Sequence, residues 1–468
     1  MLAEAPSTEV VLGGRLHRGD EAWQVSICSA SRLSLYVAFA AAPPPDRTEF
    51  AKLTVTTPGG KEVELSGCRL AVEYTRKGYH GRLVFLEDVY DLHALLFEGK
   101  LVNLKGFFQN LPLVLSQKER IKPAFRDYTS DLLYDLSVYK KFFNEQDRVL
   151  ANEPAKVAEA AQQTLLRTEG RRFLGYFDAQ LGALGELVQG FEKEEHERHG
   201  FYFRRKVWEH ILASEFLKRT NLKPRGYAGD AEMMVMLYEN QYVGNYVFNQ
   251  LLHKHPVETP AAQAVRNRRR RIPQVLRSVL ARFPELPAHG FKFMSVASGP
   301  AWELQDLFLA AEDFERFHCT LLDQDPEALA SARQGIARIE AARDIRIQAE
   351  YLNESVRTML RTRDMAGRFG QFHFIYSMGL FDYLTPPVAR AVLAKLHQLL
   401  LPGGTLLVGN YWMGQPTRYY MEYWMDWVLY YRTEQDFLEL TEGLAAQERA
   451  VSFDESRCQM FLQLTKPC

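Results

Sequence analysis

Cysteine is scarce and scattered. The 468-residue chain has five, at Cys28, Cys68, Cys319, Cys458 and Cys468. No two stand in a CxxC pair, which argues against a disulfide framework or a zinc ribbon. An excess of either charge is also missing: 57 Lys plus Arg stand against 58 Asp plus Glu, a net charge of −1. Whole-chain charge therefore suggests neither a nucleic-acid binder nor a protein drawn to an anionic membrane. No apolar run is long enough to span a bilayer; the most apolar late stretch, 391–409, is broken by Lys395, His397 and Pro402-Gly403-Gly404. The opening residues, MLAEAPSTEVVLGG, show no basic segment followed by an apolar one. No secretory signal is expected, and the expected compartment is the cytoplasm.

What is present is an ordinary globular composition, 47% apolar and 25% charged. At about 150 residues per domain, the length suggests roughly three domains. Residues 1–97 read as a small β domain. Leu33, Leu35, Val37 and Phe39 alternate with polar or small neighbours, as do Leu70, Val72 and Tyr74, and Gly81, Leu83 and Phe85. The stretch 57–61, TPGGK, reads as a hairpin turn between Leu53/Val55 and Val63/Leu65, and Pro43-Pro44-Pro45 as a loop. Short strands at this spacing suggest a small barrel.

Over 98–288 the period becomes helical: Leu174, Phe177, Leu181, Leu184, Leu187 and Phe191 step by three and four, as do Val207 and Ile211. Pro112, Pro154, Pro224 and Pro256 are expected to punctuate the helices. From 289 onward, short apolar runs at 293–297, 319–322, 345–349, 372–376 and 405–408 alternate with helical segments, the signature of βαβ units around a parallel sheet. Residues 450–453 and 458–464 read as a closing antiparallel pair.

The first βα turn, ASGPAWE at 297–303, has a single glycine, Gly299. A dinucleotide fold wants three to cradle a pyrophosphate, so this turn speaks for a nucleoside ligand without phosphates. The next strand ends at Asp323-Gln324-Asp325-Pro326, 24 residues past Gly299, where an acid can accept hydrogen bonds from ribose hydroxyls. The plainer alternative is an ordinary turn with Asp325 as a helix N-cap.

These residues carry a resemblance. Segment 291–468 resembles a class I S-adenosylmethionine-dependent methyltransferase domain: 297–303 matches its first motif, Asp323 its ribose-binding acid, LPGGT at 401–405 the turn before its fifth strand, and the closing pair its last two strands. Narrower strings, KPRGYAGD at 223–230, YSMGLFDYL at 376–384, and Asn410 with Met421-Glu422-Tyr423, Trp427 and Tyr431-Arg432-Thr433, resemble the bacterial extracellular-factor, 3-hydroxypalmitic acid methyl ester biosynthesis proteins, over about 98–468. The resemblance implies an α/β fold: a Rossmann-like doubly wound sheet with C-terminal antiparallel strands (289–468), preceded by a helical lid (98–288) and an N-terminal small β-barrel (1–97). S-adenosylmethionine is the implied cofactor. The expected cofactor contacts are Ala297, Ser298, Gly299, Pro300, Glu303, Asp323, Gln324, Asn353, Ser377, Met378 and Asp230, with no metal. The N-terminal domain is similar to a PilZ module, which in some proteins binds cyclic di-GMP. Its ligand strings are absent here: 24–29, QVSICS, lacks both the acid and the glycine, and Arg15 and Arg18 have the wrong spacing. A structural or docking role is expected.

In 223–230 two glycines and a proline make an irregular interhelical loop suited to a lid. Arg225 can clamp a carboxylate through a bidentate pair. Asp230 can hold an ammonium, and Tyr227 and Asn410 complete the expected catalytic group. An ordinary turn with a structural Arg–Asp pair is the alternative. Asp382 reads either as a charge at a helix N-terminus or as a ligand contact. Glu350 or Asn353 can accept the adenine amino group. Tyr420, Tyr423, Trp424, Trp427 and Tyr431 place five rings on one helix face, as core packing or as an aromatic wall around a sulfonium or acyl chain. Glu422 either orients a ligand or is solvated. His196 and His199 lack a third metal ligand. Seven arginines and no acid over 266–282 read as a solvated helix face or a docking patch for an acidic carrier.

Methyl transfer from a sulfonium is an in-line displacement, with the nucleophile about 3 Å from the carbon. A carboxylate titrating near 4 needs no strong base at neutral pH. The primary expectation is carboxyl O-methylation of a hydroxy-fatty acid or related small acid, with S-adenosylhomocysteine as second product. The partners expected are that small molecule, no nucleic acid and no stable membrane insertion. One alternative is a cyclase that turns S-adenosylmethionine into azetidine-2-carboxylate and methylthioadenosine. Another is a non-catalytic regulatory protein that binds the cofactor or a nucleotide.

Overall fold

Period-two burial organises the N-terminal part. In Ser34–Phe39 (β3) Leu35, Val37 and Phe39 are buried and the residues between them are half-exposed. The structure, a computed structural model, describes residues 12–30, 34–56, 62–75, 78–86, 88, 90, 117–288, 290–309 and 311–468. The expected turn at 57–61, Leu33, Pro112 and the junction near 97 lie outside these residues. With Leu12–Arg18 (β1), Glu21–Ala30 (β2), Glu49–Phe50 (β4), Lys52–Thr56 (β5), Glu62–Leu65 (β6), Cys68–Thr75 (β7) and Gly78–Phe85 (β8), β3 forms an antiparallel eight-stranded sheet ordered β4-β7-β8-β3-β2-β1-β5-β6. Leu16, Ile27, Leu35, Val37, Leu53, Val55 and Leu83 share its core. The chain divides into two compact units, residues 1–120 and 121–468.

The second unit begins with nine α-helices among the described residues: Pro123–Leu150 (α1), Ala155–Leu165 (α2), Arg171–Val188 (α3), Lys193–Lys206 (α4), Trp208–Ala213 (α5), Glu215–Leu222 (α6), Ala231–Glu239 (α7), Val247–Glu258 (α8) and Pro260–Leu280 (α9), with a π-helical turn at Leu166–Gly170 joining α2 to α3. The stripe expected from 174 onward is present on α3, centred on the buried Phe173, Phe177, Leu184 and Val188, with Leu174, Leu181 and Leu187 at its margin. Pro256 does not end its helix as expected. It sits inside the last turn of α8, as Pro273 sits inside α9. Each removes one backbone bond, and both rings are buried, which offsets that loss.

Next come Phe291–Val296 (β9), Glu303–Leu307 (α10), Ala311–Arg316 (α11), Phe317–Asp323 (β10), Pro326–Arg343 (α12), Gln348–Asn353 (β11), Val356–Arg361 (α13), Met365–Phe369 (α14), Phe372–Ser377 (β12), Pro386–Gln398 (α15), Leu400–Tyr411 (β13), Arg418–Trp424 (α16), Glu434–Glu439 (α17), Glu448–Phe453 (β14) and Gln459–Thr465 (β15). The sheet order is β11-β10-β9-β12-β13-β15-β14. The first five strands are parallel, and β15 runs antiparallel to both β13 and β14. The fold is thus mixed α/β with a mostly parallel, doubly wound sheet. The third strand starts three residues later than the apolar run at 345–349 suggests, because its register is set by pairing with β10, His318 opposite Gln348 to Asp323 opposite Asn353.

The aromatic segment is core. The helix ends at Trp424, so Trp427 and Tyr431 do not share a helix face with Tyr420, Tyr423 and Trp424, as the step pattern suggests. All five rings join one cluster with Phe125, Phe143, Phe173, Phe177, Phe203 and Phe248. Phe177 meets Trp424 edge-on at 5.1 Å and Tyr420 at 5.9 Å. No helix among the described residues is long and apolar enough to cross a membrane.

Phe177 is 0% exposed and touches both halves of this cluster. Replacing it by Ala is expected to cost about 3–5 kcal/mol, because the rings around it cannot all collapse into the void. Urea unfolding of Phe177→Ala checks the loss.

Candidate functional site

The first turn of the parallel sheet is strained. Ala297, Gly299 and Ala301 have φ of 55°, 56° and 51°. For the two alanines the left-handed region costs about 1–2 kcal/mol each, and such strain persists where surrounding contacts over-determine it. Here the contact is Asp323. Its Oδ2 accepts from the Gly299 amide at 2.8 Å and its Oδ1 from the Asp325 amide at 2.9 Å. One carboxylate therefore ties the turn after β9 to the turn after β10. A Cβ built on Gly299 meets nothing within 4 Å, so its space is open.

These turns form the floor of a cavity of about 470 Å³. Ala297, Ser298, Gly299, Pro300, Glu303, Asp323, Gln324, Met378 and Tyr227, expected at the site, all line it. Ser298 Oγ is buried and has no hydrogen-bond partner, a polar atom left for a ligand. Burial raises the Asp323 carboxyl above its usual range, against the two amide bonds that favour its charged form. Burial likewise raises Glu303, whose Oε1 accepts from the Tyr376 hydroxyl at 2.7 Å. Tyr227 is pushed up to about 12 by burial and then by Asp323, so it stays a neutral phenol.

Other expected site residues do not reach the cavity. Asp230 is 0% exposed; its carboxylate caps α7 through the Met233 amide at 3.1 Å and pairs with Arg219 at 2.8 Å, leaving no room for an ammonium. Asn410 is buried under the sheet rim, donating to the Tyr411 and Tyr430 carbonyls at 2.9 and 3.0 Å and accepting from Arg432. Ser377 Oγ donates to the Val296 carbonyl at 2.8 Å, so it staples β12 to β9. Asn353 supports the floor from behind through the Asp323 and Gln324 carbonyls, both at 3.1 Å. Beside it Glu354 does line the cavity, while Glu350 faces His318 at 3.5 Å.

Arg225 lines the cavity, but its guanidinium is taken up by Asp325 at 2.6 Å and by Glu327. It fixes the 223–230 loop over the β10 turn instead of waiting for a substrate carboxylate. The same loop is pinned elsewhere by Lys223 to Asp426 at 2.6 Å. At Gly229 an added Cβ would lie 2.5 Å from Tyr383 Oη and 2.6 Å from Trp427, so only glycine lets the loop approach those rings. Tyr383 itself lines the cavity and accepts from Trp427 Nε1 at 2.8 Å. Glu422 pairs with Arg418 at 2.8 Å. His196 bonds Tyr423 Oη at 3.0 Å, and His199 bonds the Lys122 amide at 3.1 Å and the Glu195 carbonyl at 2.8 Å.

The arginine run on α9 is not a solvated face. Arg269 pairs with Asp306 at 2.6 Å, Arg277 with Asp313 at 2.7 Å, and Arg266 donates to two backbone carbonyls. Arg268 is 8% exposed and lines the cavity. A signal for it was present: Ala264, Arg268 and Ile272 step by four along the buried stripe of α9, so Arg268 is in phase with the core. Tyr238 and Met234 also line the cavity, and no motif marked them; Tyr376, the first residue of the string at 376–384, lines it too.

Asp382 is neither a dipole charge nor a ligand contact. It is 2% exposed, and its Oδ1 accepts from the Tyr411 amide at 2.6 Å, holding β13 to the turn after β12. Burial raises it from 3.8 to about 6. A raised carboxyl contributes stability that is present below about pH 4 and is lost as pH rises through about 6. Asp382→Asn keeps the acceptor and cannot ionise. It is expected to gain up to about 3 kcal/mol over the parent protein at pH 8 and nothing at pH 4; denaturant midpoints at the two pH values check this.

No protein-family model matches the chain, and no curated protein matches it. Solved structures are similar at low identity. A protein of Bordetella parapertussis described as a possible exported protein is 20% identical over 63% of this chain and 96% of its own, with a TM-score of 0.45. The N-methyltransferase NodS of Bradyrhizobium japonicum WM9 is 18% identical over 43% of this chain and 97% of its own, TM-score 0.30. Magnesium protoporphyrin IX methyltransferase of Synechocystis PCC 6803, solved with bound SAM, is 10% identical over 44% and 83%, TM-score 0.31. Likeness at this level says nothing of the ligand or reaction of this chain.

Proposed function

We propose that residues 121–468 form an S-adenosylmethionine-dependent methyltransferase, acting on the carboxyl oxygen of a hydroxy-fatty acid or related small acid. The observation that carries this reading is the Asp323–Gly299 junction: a carboxylate at the end of the second parallel strand, 2.8 Å from the amide of a glycine in the first turn, with both facing one cavity. That is where an open α/β sheet receives a nucleoside. The strand order, closing on an antiparallel pair, agrees with the class I resemblance.

The residues present fit the cofactor. Ser298 offers a buried hydroxyl without a partner, and Gly299 offers open space against the backbone. Asp323 would take the ribose hydroxyls, Gln324 and Glu354 the base, and Met378 and Tyr383 the apolar wall. When bound, the cofactor supplies an electrophilic methyl on a sulfonium. The chain's own work is positioning and exclusion of water. The Arg225–Asp325 pair holds the loop that carries Tyr227, and the Gly229 contact lets that loop lie close on Tyr383. A carboxylate acceptor arrives ionised, so the neutral Tyr227 need only orient it.

The volume favours the small end of the substrate class. About 470 Å³ lies in the lower part of the ~300–1,000 Å³ that single drug-sized ligands occupy. A cavity at the lower end of that range also accommodates a second reading, the cyclase, whose nucleophile is the cofactor's own amino group and which needs no second substrate.

Incubation with S-adenosylmethionine, with and without a panel of hydroxy acids, tests both. Acid-dependent S-adenosylhomocysteine supports methyl transfer. Methylthioadenosine without added acceptor supports cyclisation. Absence of cofactor binding at millimolar concentration overturns both. Asp323→Asn is expected to weaken cofactor binding about 10- to 100-fold, since hydrogen bonds to a charged group contribute about 1.5–3 kcal/mol; calorimetry measures it.

A further inference from the structure

A buried guanidinium without a direct carboxylate partner asks for one. Arg268 lies on the buried stripe of α9 and is 8% exposed, yet no carboxylate lies within 4 Å of it among the described residues. Its partners are neutral: the Met378 carbonyl at 3.1 Å from Nη1, the Met234 sulfur at 3.1 Å from Nη2, and the Tyr238 hydroxyl. A guanidinium has five N–H donors in a fixed fork, so several remain unused. The two nearby acids are engaged elsewhere, Glu303 by the Tyr376 hydroxyl and Asp382 by the Tyr411 amide. Arg269 and Arg277 on the same helix each have a carboxylate at 2.6–2.7 Å, as does Arg225 on the loop. Arg268 differs from them in facing the cavity. Gly379 leaves the guanidinium uncovered there, since an absent Cβ would stand 3.7 and 3.8 Å from its two terminal nitrogens.

We propose that Arg268 is the carboxylate anchor of the cavity, forming a bidentate ion pair with a carboxylate of the bound ligand. This rests on the cofactor reading above. The carboxylate has two sources, the amino-acid end of the adenosyl cofactor or the acid acceptor. Either supplies the direct carboxylate partner that Arg268 lacks, and a buried charge is costly until it is paired and hydrogen-bonded. The planar fork matches a carboxylate through two parallel bonds, which a lysine cannot reproduce. Arg268 is thus a binding residue, and Arg225, to which the sequence pattern points, is a loop clasp.

The test compares S-adenosylhomocysteine with 5′-methylthioadenosine, which keeps adenosine and thioether but has no carboxylate, on the full chain and on Arg268→Gln and Arg268→Lys. If the cofactor supplies the anion, Arg268→Gln loses at least tenfold in affinity for S-adenosylhomocysteine while binding methylthioadenosine within threefold of the parent. Arg268→Lys falls between. Retained methylthioadenosine binding also shows that the variant is folded. If the acceptor supplies it, both nucleoside affinities hold and the acceptor KM rises at least tenfold, with kcat less affected. Unchanged nucleoside affinities together with an unchanged acceptor KM overturn the assignment and leave the cofactor reading standing. A parent protein that binds neither nucleoside overturns the cofactor reading, and the assignment falls with it.

Discussion

One carboxylate organises the cavity. Asp323 receives the Gly299 and Asp325 amides at once, and so holds two βα turns in a shape that their own backbone preferences oppose. Backbone bonds hold the first turn as well, from the Ser298 amide to the Leu322 carbonyl at 3.1 Å and from the Ala301 amide to the Ser298 carbonyl at 3.2 Å. Asp325, positioned by its amide bond to Asp323, is then an anchor for Arg225 and the loop at 223–230. Asp323 thus shapes the floor and, through Asp325, positions one of the anchors of the loop above it; Lys223 to Asp426 is another. The Asp323 carboxyl is buried and its ionisation is disfavoured by that burial, a state that a ribose would relieve by adding hydroxyl donors.

The helical segment and the parallel sheet are joined by packing. Rings from α1, α3, α4 and α8 share a core with Tyr420, Tyr423 and Trp424 of α16. Polar bonds then set the fine position: Asn221 to the Trp424 carbonyl at 2.8 Å, Arg204 to Asp426 at 2.9 Å, and His255 to Tyr420 at 3.1 Å. Packed aromatic cores resist continuous deformation. The loop between α6 and α7 is thus hung between fixed points, and the cavity volume is set by the core behind it.

Charge follows the same pattern. The arginine-rich helix looks on paper like a surface feature, yet most of its cations are spent on named acids or carbonyls of the surrounding elements. A linear count of like charges carries no information about partners that lie 36 or 37 residues away in sequence, as Asp313 and Asp306 do. The phase of each residue on its helix does carry it. Arg268 shares the phase of Ala264 and Ile272, while Arg269 and Arg270 fall outside the stripe.

Local rules located several of the elements. Alternation located β3, the three–four stripe located α3, and the spacing from Gly299 to Asp323 located the two turns that meet, because each of these depends on residues close together in one chain segment. The start of β11, the burial of Arg268 and the fates of Arg225, Asp230 and Asn410 were decided only in three dimensions. Residue type tells what a side chain can bond. Which partner it finds depends on distance in space, and for a charged group in a dry interior the nearest opposite charge or carbonyl outweighs any role its motif suggests.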